Sequence, residues 1–279
     1  MKSVQVILGS YIKAPHQVFR NISWRRPRKT SDHRIIFVVG APRSGTTLME
    51  RVLNSHSKLF SMQQETGLIS LRNIFSRDHF GLSREENRQL FSESSDIVDF
   101  FTRAARLLES RNEGRTLIEK TPQHVLHIGF LTRYFPNARF VNVVRDGRDA
   151  YCSSRKHPNV RLNSPAIYAR YWKRCIDAGL SVKDDPIVHT VRYEDFTSDP
   201  QLHLAKVMAF LDLELESSQF EATQVQADAR SSFERHQRLA QPITSATVGR
   251  WRDELTNQQV QDFQAVAGSE LEAYGYELA

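Results

Sequence analysis

Two short stretches hold residue types and spacings that could grip an anion. The first is GAPRSGTTL, residues 40–48. Gly40 and Gly45 permit backbone angles and close approach that a Cβ would block. The amides of Ser44–Thr47 enter a predicted helix and have no partner inside it, so they can point at phosphate oxygens. The hydroxyls of Ser44, Thr46 and Thr47 add donors, and Arg43 adds a charged fork suited to phosphate. The glycine spacing and Thr47 match the phosphate-loop pattern G-x-x-x-x-G-K-[ST], but Thr46 stands in the lysine slot. In nucleoside triphosphatases that lysine stabilises charge on the transferring γ-phosphate. Those enzymes also hold Mg²⁺ through an acidic residue after a strand, whereas here the apolar run FVNVV leads into Arg145. The stretch reads as a phosphate cradle not built for a metal–triphosphate.

The second stretch is FVNVVRDGRDAYCSS, residues 140–154. Arg145 follows an apolar strand pattern directly, where a fixed cation is a natural phosphate clamp. If a helix starts near Asp146, Ser153 lies two turns on and can face the same way. Asp146 and Asp149 have a purely structural reading, as caps and as charges that complement the helix dipole. Arg148 reads equally well as a surface residue. Taken alone, this loop is balanced between structure and function.

The elements around these loops define the architecture that must position them. RIIFVV, residues 34–39, and RFVNVV, residues 139–144, are almost continuously apolar, as strands buried on both faces of a parallel sheet are. TLIEKTP forms a short strand stopped by Pro122, and PIVHTVRYEDF reads as another. TTLMERVLNSH, HVLHIGFLTRYF, SPAIYARYWKRCIDAGLSV and SDPQLHLAKVMAFLDL read as helices. Residues 84–109 read as helical cover, and TNQQVQDFQAVAGSELEAYGY places Val260, Phe263, Val266 and Leu271 on one stripe. Strands alternating with helices predict an α/β fold, a P-loop-containing three-layer sandwich with a central parallel sheet flanked by helices. Both unusual loops fall at carboxyl ends of strands, where such sheets bind ligands.

The chain has 279 residues, 40% of them hydrophobic and 25% charged, which suits a globular protein rather than a disordered one. The expected organisation is a basic N-terminal arm, residues 1–33, and a single domain over 34–279. Helical cover around 60–116 would form much of an acceptor side. That region holds Phe60, Phe75, Phe80, Phe91, Phe100 and Phe101, which serve a core as readily as a pocket. The net charge of +6 suits an anionic ligand, nucleic acid or a membrane surface without choosing among them. No basic stripe interleaved with aromatics argues for nucleic acid. Cys152 and Cys175 have no metal-ligand spacing and make no disulfide framework, so a cytoplasmic location is expected. No run approaches the length of a membrane span, and the start of the chain lacks the hydrophobic region and cleavage site of a signal peptide.

Taken together, the two loops resemble those of the sulfotransferases that use 3′-phosphoadenosine 5′-phosphosulfate. PRSGTTL is similar to their 5′-phosphosulfate loop and VVRDGRDAYCSS to their 3′-phosphate loop. EKTP matches a segment with a catalytic lysine. VRYEDF resembles a strand whose tyrosine lies near the adenine, and VGRWRDEL a late segment near the cofactor. The order holds over about residues 34 to 275, with the flavour of the tyrosylprotein and bacterial types.

The resemblance implies that Arg43, Ser44, Gly45, Thr46 and Thr47 cradle the 5′ end of the donor, that Arg145 and Ser153 clamp its 3′-phosphate, and that Tyr193 and Arg250 contact it. The product would be adenosine 3′,5′-bisphosphate, and no metal would be required. Lys120 would stabilise the leaving or bridging oxygen. Cytosolic members place a histidine base where this chain has Pro122. The tyrosylprotein type uses a glutamate in an E-E-T segment, which Glu65–Thr66 of MQQETG matches if one residue is inserted; without the insertion the match falls on Gln64. Glu65 is the expected base and His124 the reserve, while Glu119 should point away from Lys120 across its strand. The acceptor would carry a hydroxyl on a small molecule, a glycan or a peptide. Neither nucleic acid nor a transmembrane segment is expected, and a homodimer stays open. The alternative is a divergent P-loop kinase or nucleotide-binding protein.

Overall fold

In the computed structural model, Trp24 and residues 26–67, 80–156, 164–221 and 243–279 are described. Ile36–Gly40 (β1) is buried along its whole length. Its alternate side chains enter two different cores, Phe37 and Val39 on one face and Ile36 and Val38 on the other. That two-sided burial is why the strand's sequence shows no polar alternation. From β1 the chain turns into Thr46–Asn54 (α1), then Leu59–Ser61 (β2), Arg84–Glu93 (α2), Ile97–Ser110 (α3) and Thr116–Lys120 (β3). A 3₁₀ turn, Pro122–His127, leads into Ile128–Tyr134 (α4), followed by Arg139–Val144 (β4), Gly147–Arg155 (α5), Pro165–Leu180 (α6) and Val188–Arg192 (β5). The remaining described elements are helices: Tyr193–Ser198 (α7), Pro200–Phe210 (α8), Ser218–Glu221 (α9), Trp251–Glu254 (α10) and Asn257–Ala273 (α11).

The five strands pair in the order β2-β3-β1-β4-β5, and every pairing is parallel. One face carries the aromatic core of Phe37, Phe101, Phe135, Phe140, Trp172 and Phe263, under α3, α4, α6 and α11. The other carries Val38, Met49, Val52, Leu53, Val141 and Val207, under α1, α7 and α8. This is the expected three-layer α/β sandwich. β1 lies between β3 and β4, so the chain leaves the sheet centre in both directions and opens a crevice at the carboxyl ends of the strands.

Several local expectations change. The helical stretch over 84–109 is two helices, because Asp96 accepts from the amides of Val98 and Asp99 at 3.0 Å each and starts a new one. The strand expected through PIVHTVRYEDF ends at Arg192, and Tyr193 opens α7. HVLHIGFLTRYF is 3₁₀ in its first third. Phe60, Phe80, Phe100 and Phe101 are core rather than pocket, Phe91 stacks on the buried Trp24, and Phe75 lies outside the described residues. Trp24 joins the aromatic core, and Ser31 donates its amide to the Tyr134 carbonyl at 2.8 Å. Among the described residues, no helix is long and apolar enough to cross a membrane, and no cluster could hold a metal ion.

Candidate functional site

The loop from β1 to α1 is shaped by two close approaches. At Gly40 an added Cβ would fall 2.2 Å from the Val143 carbonyl oxygen on β4. At Gly45, where φ is 99°, it would fall 2.4 Å from the Tyr193 ring. Between them Arg43 holds a φ of 76°, in the left-handed region that a side chain rarely adopts. Gly45 is the N-cap of α1, and no described side chain bonds the first-turn amides. Those amides face outward at the positive end of the helix dipole. Ser44 and Thr46 are buried, while Thr47 is half-buried.

β4 delivers Arg145 to the opposite wall of the crevice. Its Nη2 donates to the Thr247 carbonyl at 2.6 Å and to the Thr247 hydroxyl at 3.0 Å. Its guanidinium lies 4.3 Å from the centre of the Tyr193 ring, and the Tyr193 hydroxyl is 3.1 Å from Thr247 Oγ1. One tyrosine thus touches both loops. Arg43 Nε donates to Ser153 Oγ at 3.1 Å, a second bridge between them.

The sequence around Arg145 folds as a lock for the late loop. Asp146 caps α5 by accepting from Arg148 N at 2.8 Å. Arg148 is not a surface residue. It is 1% exposed, makes two side-chain bonds to Asp146, and stacks 3.8 Å over Trp251. Asp149 accepts from the amides of Gly249 and Trp251, at 2.7 and 3.0 Å. Burial pushes the Asp149 carboxyl up from its ordinary range, against the pull of Arg145 and the two amides.

Among the described residues, four buried donors around the crevice have no hydrogen-bond partner: Ser44 Oγ, Arg145 Nε, and Arg250 Nε and Nη2. Leaving such groups unpaired costs about 1–3 kcal/mol each, more where charged. An anion carrying several oxygens satisfies them. The donor set therefore fits a ligand with phosphate groups at two points.

At the end of β3, Lys120 points toward α1. Its Nζ lies 3.2 Å from Glu65 Oε1 and 3.5 Å from Glu50 Oε2. Glu65 is about half exposed, with its side chain at 48%, whereas Lys120 is buried. Glu50 also accepts from Ser61 Oγ at 2.5 Å, and burial raises its pKa against the attraction of Lys120. Gln64 is engaged elsewhere, accepting from Phe80 N at 3.0 Å.

His124 is not brought to this pair. It is 2% exposed, and its Nδ1 lies 2.9 Å from Glu119 Oε2. Glu119 shares a register with Phe37 and Lys120 with Val38, so the two side chains leave opposite faces of the sheet. The residue expected as the reserve base is thus a buried partner of Glu119 in this structure.

Glu50 and Thr247 were absent from the residues singled out in the sequence. Glu50 had a readable signal, an acid amid the buried Met49, Val52 and Leu53 of an apolar helix face. Thr247 had none, being 102 residues from the arginine it holds.

Comparison with known proteins follows the same outline. A model of the Sulfotransferase family matches residues 35–217. The chain is 34% identical to protein-tyrosine sulfotransferase 1 of Homo sapiens over 158 residues, which is 52% of this chain and 41% of that protein. It is 27% identical to the protein-tyrosine sulfotransferase of Drosophila melanogaster over 269 residues, 87% of this chain and 52% of that protein. The chain thus aligns with about half or less of the length of these relatives. In fold it is similar to the sulfotransferase domain of the Synechococcus PCC 7002 olefin synthase, with a TM-score of 0.65 and 19% identity over 92% of this chain and 99% of that one.

Proposed function

Because the chain belongs to the sulfotransferase family, we propose that it moves a sulfuryl group from 3′-phosphoadenosine 5′-phosphosulfate to an acceptor hydroxyl by direct in-line transfer. The observation that carries this reading is the pair of anion cradles meeting at the Tyr193 ring. A nucleoside with phosphate at both its 5′ and 3′ positions fits that arrangement. A metal–triphosphate does not, since Thr46 fills the lysine slot and Arg145 stands at the end of β4.

In this reading Arg43, Ser44, Gly45, Thr46 and Thr47 hold the 5′ end. Arg145, Ser153 and Arg250 hold the 3′-phosphate, and Tyr193 supports the nucleoside. The bound donor supplies a sulfuryl group on an activated phosphate anhydride. Lys120 neutralises the charge that grows on the bridging oxygen as its bond to sulfur breaks. Glu65 takes the proton from the acceptor hydroxyl as the new oxygen–sulfur bond forms. Its 3.2 Å approach to Lys120 and its exposure to the crevice support that role over His124.

The relatives act, by name, on protein tyrosine, so a tyrosyl hydroxyl is the acceptor we assign first. Two free, buried cysteines agree with the reducing cytoplasm we propose as its location. The test is incubation with labelled donor and a panel of a tyrosine peptide, a sugar and 4-nitrophenol, read by product mass. Sulfated product is expected without added metal. Magnesium-dependent phosphoryl transfer from ATP, with no use of the sulfuryl donor, would overturn the reading.

A further inference from the structure

Residues 65–67 belong to neither helix nor strand, so regular backbone pairing does not fix the Glu65 carboxylate. Besides Lys120, which meets the Glu65 carboxylate, the far side of β3 also reaches this segment. Glu119 has 0% exposure, and its two oxygens have separate tasks. Oε2 faces His124 Nδ1 at 2.9 Å. Oε1 accepts from Thr66 Oγ1 at 2.7 Å and from Thr121 Oγ1 at 2.6 Å. Thr121 Oγ1 accepts in turn from Gly67 N at 3.2 Å. The two residues after Glu65 are thus tied to the end of the strand that carries Lys120.

The chemistry suits a fixed anchor. Burial by itself would raise the Glu119 pKa, but His124 and the two hydroxyls outweigh it and hold it below the ordinary range. An ionised, fully buried carboxylate with both oxygens engaged has no second arrangement of low energy. The last two residues of β3 then act on one loop from both faces, Glu119 through the Thr66 and Thr121 hydroxyls and Lys120 on the Glu65 carboxylate itself.

We propose that the buried Glu119–His124 pair is a positioning device for Glu65, acting through Thr66 and Thr121 to set where that carboxylate meets Lys120 and the acceptor hydroxyl. The proposal rests on Glu65 being the base of the sulfuryl transfer proposed above. It assigns no proton transfer to His124 or Glu119, which touch no reacting atom.

The experiment compares Thr66→Val with Thr66→Ser, each alone and combined with Glu65→Gln. Turnover is followed with labelled donor and whichever acceptor of the tyrosine peptide, sugar and 4-nitrophenol panel is sulfated. Valine keeps the shape of threonine and removes the hydroxyl. Thr66→Val is expected to lower kcat about ten- to a hundredfold, the scale of a small misplacement of a reacting group. Affinity for adenosine 3′,5′-bisphosphate should stay unchanged, which also reports an intact fold. Thr66→Ser should retain turnover. In the Glu65→Gln background Thr66→Val should cause no further loss, because its effect passes through Glu65. Wild-type turnover in Thr66→Val, or a loss that multiplies with Glu65→Gln, would overturn the positioning role. A wild-type protein that sulfates nothing fails differently, by overturning the functional reading itself.

Discussion

The two halves of the crevice are built on opposite electrostatic plans. On the donor half, cations and amides outnumber their partners. Ser44, Arg145 and Arg250 keep buried donors unsatisfied, and the first turn of α1 has no side-chain cap. On the Lys120 side, the amine meets two carboxylates, Glu50 at 3.5 Å and Glu65 at 3.2 Å. A site short of negative charge suits an anion, whereas one already supplied with carboxylates suits a neutral group. The difference fits a donor with anionic groups at both its 5′ and 3′ ends on one side and an uncharged hydroxyl on the other.

The contrast can be broken at its strongest point first. Glu65→Gln removes the proposed base and spares the proposed donor contacts, so turnover should fall by about 10²–10⁴-fold. Calorimetry with adenosine 3′,5′-bisphosphate should be unchanged, and full activity would remove Glu65 from the mechanism. Arg145→Ala should do the reverse to binding. Losing a buried charged partner costs about 2–5 kcal/mol, or roughly 30- to several-thousandfold in affinity by calorimetry. Unchanged affinity would sink the assignment of Arg145 as a phosphate clamp.

Smaller changes sharpen the comparison. Thr247→Ala keeps the carbonyl that Arg145 uses and deletes the hydroxyl shared with Tyr193. About 1 kcal/mol, or roughly fivefold weaker donor binding, is expected. An effect as large as that of Arg145→Ala would mean that Thr247 itself touches the ligand. The mildest test concerns stability. Glu119 has its folded pKa lowered from 4.5, so the unfolded chain takes up the proton first as pH falls. Its contribution is complete above the unfolded value and is lost as pH falls through the folded one. Glu119→Gln should therefore flatten the decline of Tm as pH falls below the ordinary carboxylate range. An unaltered slope would show that this carboxylate does not govern acid unfolding.

The legible parts of the molecule were those written in neighbouring residues. The unbroken apolar runs of β1 and β4 signalled a parallel sheet, and the glycine spacing at 40 and 45 signalled a cradle. β2 went unseen because three residues cannot show alternation. The start of α7 at Tyr193 was hidden because the aromatic side chain suits a strand as well as a helix. For the E-E-T segment, sequence alone aligned Gln64 or Glu65 according to one inserted residue. Folding separates them, because Gln64 bonds Phe80 while Glu65 meets Lys120. The late loop was least legible of all. The carboxylate of Asp149 and the amides of Gly249 and Trp251 are about a hundred residues apart, and no local pattern records such a pairing.

That distance has a consequence for how the protein is made. The ribosome releases β1, α1, β4 and Arg145 long before it releases the segment with Thr247 and Trp251. A nascent chain halted before residue 243 holds all five strands and the first cradle. Arg145 then lacks the carbonyl it will bond, and Arg148 lacks the indole it will stack on. Arg145 and Arg148 gain these partners only once residues 247–251 have been made.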